Sequence, residues 1–360
     1  MTKLEHLYAD YGQSPWLDNL TRASLHDGTL ARMVDDGIRG VTANPTIFAR
    51  SISGSHDYDE QFSQLIAAGS SVDEAYWELV IEDASQALAV LRPLFDASNS
   101  ADGFVSVEVS PELAHDAPAT IAAARWLSRR INQPNLLVKI PATDEGVTAL
   151  ETLTAEGSSI NVTLLFSLSR YAQIIEAYQS GLEKFTANGG DPTTVNSVAS
   201  FFVSRVDAEV DRRLEAIGTD EALALRRQAA VAQAKLAYKL FTDRFSTDRW
   251  HRLGRLGADI QRPLWASTST KSPEARDTRY VDELIGLDTV TTLPEATITA
   301  FEDHGTLART VDTDLPRASE LMSRLAALRI DMDDVGHTLE ENGIAAFDAA
   351  YDDVLAGLSD

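Results

Sequence analysis

The stretch Asn135-Leu136-Leu137-Val138-Lys139-Ile140-Pro141-Ala142-Thr143 places a lysine inside an apolar run. Residues 136–140 have the length and aliphatic character of a buried strand. Burial disfavours a charged ammonium unless it is paired or used, and a neutral amine is a nucleophile that can form a Schiff base with a carbonyl. The chain carries six lysines against twenty-five arginines, so lysine is not its ordinary solubilising cation. The bland alternative is a strand-end lysine that snorkels to solvent. Taken alone, that alternative is the better one. The rest of the sequence reverses the balance.

Outward from Lys139, short apolar runs alternate with longer helical patterns to both ends of the chain. Strands are expected at 15–20, 40–44, 104–109, 136–140, 160–166, 197–203, 263–267 and 289–293. Between them, Ser71-Val72-Asp73-Glu74 matches a capping box, in which Ser and Glu each bond the other's free backbone N–H. Trp77, Val80, Ile81, Ala84, Leu88 and Leu91 follow at helical spacing. Asp116 is placed to cap a helix through 121–131, and Gly157 to close one over 147–155. Further helices are expected over 171–185, 206–217, 221–245 and 279–285, and in the tail from 318 to 358. The segment 51–58, Ser-Ile-Ser-Gly-Ser-His-Asp-Tyr, reads as the most loop-like.

Eight β-then-α units predict an α/β fold: a single (β/α)8 TIM barrel spanning residues 1–360, with 300–360 a helical C-terminal extension packed on it. An open doubly wound sheet is the competing architecture, but no G-x-G-x-x-G follows the first strand. No composition break or repeat divides the chain.

Composition narrows the function classes. A net charge of −24 argues against nucleic acid or an anionic membrane as partner. It also means that any anionic substrate must be drawn by a local positive cluster. The absence of cysteine excludes disulfides, thiolate catalysis and cysteine-based metal sites. The first ten residues carry charges where a signal peptide would be apolar, and no run approaches the roughly 20 apolar residues of a membrane span. A cytoplasmic location is expected.

Polar residues recur inside or just after the expected strands, where barrel active sites form. They are Asp18; Thr42 and Asn44; Glu108; Lys139; Asn161 and Thr163; Ser200 and Arg205; and Ser267 to Lys271. Each has an ordinary reading: Asp18 as a cap, Asn44 before Pro45 as a turn, Glu108 on an edge strand, Arg205 as a solvated helix residue. Together these readings strain, because a closed barrel has no edge and buried polar groups need partners. The set suits carbonyl chemistry through a lysine imine. Glu108 and Asp18 are the carboxylates for proton transfer, Asn44, Asn161 and Ser200 can hold hydroxyls, and Arg205 and Lys271 can bind a phosphate. Phe166, Phe201 and Phe202 are candidates for a dry wall, or equally for ordinary core.

These residues resemble the transaldolase family. Gly40-Val41-Thr42-Ala43-Asn44-Pro45-Thr46-Ile47-Phe48 is similar to the family's strand-2 signature, and Leu137-Val138-Lys139-Ile140-Pro141-Ala142-Thr143 to its Schiff-base lysine signature. Asn161-Val162-Thr163-Leu164-Leu165-Phe166-Ser167 and Ser200-Phe201-Phe202-Val203-Ser204-Arg205 match two more segments in the same order. The resemblance implies a metal-independent, cofactor-free enzyme of the pentose phosphate pathway. Such an enzyme moves a dihydroxyacetone unit from sedoheptulose 7-phosphate or fructose 6-phosphate to glyceraldehyde 3-phosphate or erythrose 4-phosphate. It implies Lys139 as imine nucleophile, Glu108 as acid/base through a water that Thr163 positions, and Asp18 as the base for the C4 hydroxyl. Asn44, Asn161 and Ser200 would hold the dihydroxyacetone hydroxyls, Thr42 and Phe202 would also bind substrate, and Arg205 and Ser267 would bind phosphate. One departure stands out: where some members have an arginine two residues after the counterpart of Ser267, this chain has Ser269, with Lys271 two further on. Lys271 is therefore the candidate second phosphate cation. The partners expected are small sugar phosphates, with the chain a monomer or homodimer. The alternatives are a fructose 6-phosphate aldolase-like enzyme and a catalytically silent sugar-phosphate-binding barrel. A metal enzyme built on Asp18, Glu108 and a histidine is a further idea, but none of the seven histidines falls in an expected strand or forms an H-E-x-x-H motif.

Overall fold

The computed structural model describes residues 1–270 and 275–359. Eight parallel strands close into a barrel in the order β1 to β8: β1 (Gln13–Leu17), β2 (Gly40–Thr42), β3 (Phe104–Glu108), β4 (Leu136–Pro141), β5 (Ile160–Leu165), β6 (Ser197–Phe202), β7 (Arg262–Ala266) and β8 (Thr289–Leu293). The expected strands coincide with these to within a few residues. β1 begins two residues earlier than expected and ends at Leu17, so Asp18 lies just beyond it. The ring closes where β1 pairs with β8 along its whole length, from Gln13–Thr289 to Leu17–Leu293.

Helices follow the strands as the patterns require. Ser71 and Glu74 form the capping box at the start of the Val72–Ala97 helix. Asp116 caps Ala117–Ile131 by accepting from Ala119 N–H. Gly157, at φ 84°, ends the helix after β4: its N–H donates to the Thr154 carbonyl, and Ser158 N–H donates to that of Leu153.

Two expectations fail. The 51–58 segment is not a loop: residues 51–53 complete the helix Pro45–Ser53, and His56–Tyr58 forms a 3-10 turn. Asn44 caps that helix and Pro45 opens it, a start signal that the turn reading of Asn-Pro concealed. The continuous helix expected over 221–245 is two, Asp220–Leu223 and Ala229–Arg244. Between them Arg227 takes φ 62°, which ends the helical run without a glycine or proline to announce it.

The tail forms two helices, Leu315–Ala327 and Met332–Ser359. The last of these packs against Pro45–Ser53, β5 and the turn after β3, and so crosses the C-terminal end of the barrel. Among the described residues, no helix is long and apolar enough to cross a membrane.

Candidate active site

In a strand, side chains alternate between faces. Glu108, Lys139, Asn161 and Ser200 therefore project into the barrel while Val107, Val138, Val162 and Phe201 turn outwards onto the helices. Register sharpens this: Glu108 pairs with Lys139, and Lys139 with Asn161, in one row across three strands. Lys139 Nζ lies 2.9 Å from Glu108 Oε2, both side chains almost wholly buried. Burial pushes the Glu108 carboxyl above its ordinary value, opposed by the nearby charges of Lys139 and Arg205 and reinforced by Asp18.

A cavity of about 390 Å³ opens at the C-terminal end of the strands. Asp18, Thr42, Asn44, Lys139, Thr163, Ser200, Phe202, Arg205 and Ser267 all line it. Asp18 accepts a hydrogen bond from Thr42 Oγ1 at 3.0 Å, and Thr42 in turn meets Thr292 Oγ1 at 2.7 Å. Asn44 spends its side-chain oxygen on Ile47 N–H, 3.0 Å away, as the helix cap, and still faces the cavity. Thr163 Oγ1 is buried without a hydrogen-bond partner among the described residues. A polar atom so placed at a cavity wall fits a group held within the cavity, such as a water or a substrate oxygen.

Asn161 behaves differently from the expectation. It is fully buried beneath the cavity, with its Oδ1 accepting from Ser200 Oγ at 2.7 Å and its Nδ2 donating to Ser106 Oγ at 2.9 Å. In this arrangement it orients Ser200 rather than facing the cavity itself. Glu108 also stands back from the lining, reached through Lys139.

On the far wall, Arg205 Cζ lies 5.3 Å from the centre of the Phe202 ring, and Phe166 backs that ring at 5.1 Å. Burial draws the Arg205 guanidinium below its ordinary pKa, while Asp18 and Glu108 raise it. Ser267, at φ 56°, meets Ser204 Oγ at 2.8 Å. Phe201 faces away, edge-on to Tyr171 and Trp265, and is core. Lys271 lies outside the described residues.

Among the lining residues that sequence reasoning missed are Arg50 and Phe347. Arg50 follows from Asn44 once the Asn-Pro helix start is recognised, because it then shares a face with Thr46. Phe347 comes from the last helix, and no local signal says that this helix crosses the barrel mouth. Among the described residues, the one grouping of histidine and carboxylates close enough to share a metal ion, His337, Glu340 and Glu341, also lies on that helix and forms no part of the cavity lining.

Comparison with known proteins agrees with this geometry. Residues 15–358 match the family described as transaldolase/fructose-6-phosphate aldolase. A transaldolase of Arthrobacter sp. (strain FB24) is 46% identical over 357 residues, covering 99% of this chain and 96% of the relative. Transaldolase 1 of Streptomyces coelicolor is 46% identical over 98% of this chain and 93% of its own. A transaldolase of Acidothermus cellulolyticus is 48% identical over 97% of this chain and 94% of its own. With matches of this length around a buried lysine–glutamate pair at the mouth of an eight-stranded barrel, the chain belongs to the transaldolase/fructose-6-phosphate aldolase family.

Proposed function

We propose that the chain catalyses transaldolase chemistry, moving a dihydroxyacetone unit from sedoheptulose 7-phosphate or fructose 6-phosphate to glyceraldehyde 3-phosphate or erythrose 4-phosphate. The observation that carries this reading is the buried Lys139–Glu108 pair, 2.9 Å apart beside a cavity that also holds Asp18. A carboxyl pushed up by burial is a competent acceptor for the lysine proton, and the transfer leaves a neutral amine beside the substrate.

Lys139 Nζ then attacks the ketose C2 carbonyl, and proton exchange with Glu108 through a water at Thr163 expels water and leaves a protonated imine. Asp18 takes the C4 hydroxyl proton, the C3–C4 bond breaks, and its electron pair flows into the imine as an enamine. The aldose phosphate departs. An incoming aldehyde accepts the C3 carbon, Asp18 returns the proton, and water hydrolyses the new imine. Ser200, oriented by Asn161, and Asn44 and Thr42 hold the dihydroxyacetone hydroxyls. Arg205 and Ser267 bind the phosphate, with Lys271 as a second cation. Phe202 keeps water from the enamine, so that transfer prevails over release.

Borohydride reduction in the presence of fructose 6-phosphate, followed by peptide mass mapping, tests the reading. A reduced dihydroxyacetone adduct on Lys139, discharged when erythrose 4-phosphate is added first, is expected. An adduct that the aldose does not discharge would favour the aldolase alternative. Phosphate binding with no adduct would favour the silent binder.

A further inference from the structure

The cavity poses an electrostatic problem that the residues discussed so far leave unsolved. The chain carries a net charge of −24, and a sugar phosphate approaches as an anion. The two cations deep in the site are already committed: Lys139 to Glu108, and Arg205 to a buried position acted on by Asp18 and Glu108.

Arg50 is a third cation of the lining and differs from both. It is solvent-exposed on the helix Pro45–Ser53, one turn beyond Thr46 and so on the same face. Thr46, Ile47 and Arg50 all border the cavity. Among the described residues its side chain has no hydrogen bond, ion pair or ring contact, whereas most arginines of this chain are bonded to carboxylates. Its helix follows β2, and in a closed ring of eight strands β2 stands four strands from β6, which leads into Arg205. Arg50 therefore enters the lining from an element on the opposite side of the ring from the one that carries Arg205. The first turn of its helix adds partial positive charge on that side.

We propose that Arg50 is a capture residue: a guanidinium at the rim, unpaired among the described residues, that concentrates phosphorylated sugars at the mouth against the repulsion of an acidic protein, before Arg205 and Ser267 bind the phosphate. The inference rests on the reading that the site takes sugar phosphates. A charge acting in this way changes substrate capture and its salt dependence while leaving the chemical step alone. Salt screens it, since the Debye length falls to about 10 Å at 0.1 M and about 3 Å at 1 M.

The test is the steady-state kinetics of wild type, Arg50→Gln and Arg50→Lys at low and high ionic strength. The donor is saturating fructose 6-phosphate, and the acceptor is either erythrose 4-phosphate or unphosphorylated D-glyceraldehyde. Arg50→Gln is expected to raise KM for erythrose 4-phosphate roughly tenfold at low salt, with kcat unchanged and the gap closing at high salt. Arg50→Lys should stay near wild type, and KM for D-glyceraldehyde should not move. An unchanged KM and salt slope for erythrose 4-phosphate, or an equal rise for D-glyceraldehyde, overturns the role. Borohydride trapping of each variant separates the two layers. A wild-type protein that forms no Lys139 adduct sinks the functional reading and this inference together. An adduct without the salt-dependent shift sinks Arg50 alone.

Discussion

Thr163 separates what the fold needs from what the chemistry needs. Its hydroxyl is buried without a partner among the described residues, an arrangement that costs desolvation and returns no hydrogen bond from them. Valine has the same shape and no such cost. Thr163→Val is therefore expected to match or exceed wild-type stability in urea denaturation, by up to about 1 kcal/mol. It should also slow imine formation, followed by borohydride trapping, on the order of 100-fold. A variant that is destabilised with trapping intact would mean that the hydroxyl serves packing and not a bound water. At this scale the sequence was most legible where a residue type conflicts with its surroundings. Lys139 in an apolar run and Glu108 in strand alternation were both visible before any fold was known. Asn161 shows the limit. Its type and position pointed to the site, but that Ser106 and Ser200 consume its amide depends on barrel closure, which sets β6 beside β5 and brings Ser106 of β3, two strands away, within reach.

Among the elements, strands such as β4 and β5 were legible because they bury both faces and so read as nearly continuous apolar runs. What escaped was irregular backbone. β5 carries a bulge between Val162 and Leu165, with Leu164 at φ 57°, a region that a branched side chain rarely adopts. The bulge aims Leu164 at the last helix, where Gly343 makes room for it. A Cβ added at Gly343 would fall 2.8 Å from Leu164 Cδ2 and 3.6 Å from Arg205 Nη1. Gly343→Val should therefore disturb both the bulge and the Arg205 guanidinium. The expected result is a loss of about 1–3 kcal/mol in stability and a raised KM for phosphorylated substrates. Gly357 lies on the same helix and an added Cβ would meet only Ser53 Oγ at 3.9 Å, so Gly357→Ala serves as control, with a gain of up to about 1 kcal/mol from helix propensity. If both variants behave alike in chemical denaturation and kinetics, the last helix is not tuned to the barrel mouth.

For the molecule as a whole, the barrel divides its work between its two ends. The C-terminal end gathers the lysine, the carboxylates and the cavity. The N-terminal end holds a polar cluster of another kind, centred on Asp102, which is fully buried just before β3. Asp102 accepts from Ser14 Oγ of β1 at 3.0 Å, Arg39 Nε just before β2 at 2.7 Å and Arg262 Nη2 of β7 at 3.2 Å. One carboxylate thus ties together segments far apart in the chain. The sequence showed none of this, because Asp102, Arg39 and Arg262 each stand where an ordinary solvated charge would, and only closure of the barrel brings them together. Neutralising such a charge leaves its partly buried arginine partners uncompensated, whereas chemistry at the opposite end does not touch them. Asp102→Asn is expected to lower stability by about 3–5 kcal/mol in urea denaturation. The protein that remains folded should keep its kcat and its trapped Lys139 adduct per molecule. If kcat falls in step with stability at a temperature where the variant is still fully folded, the two ends are coupled and the division between them does not hold.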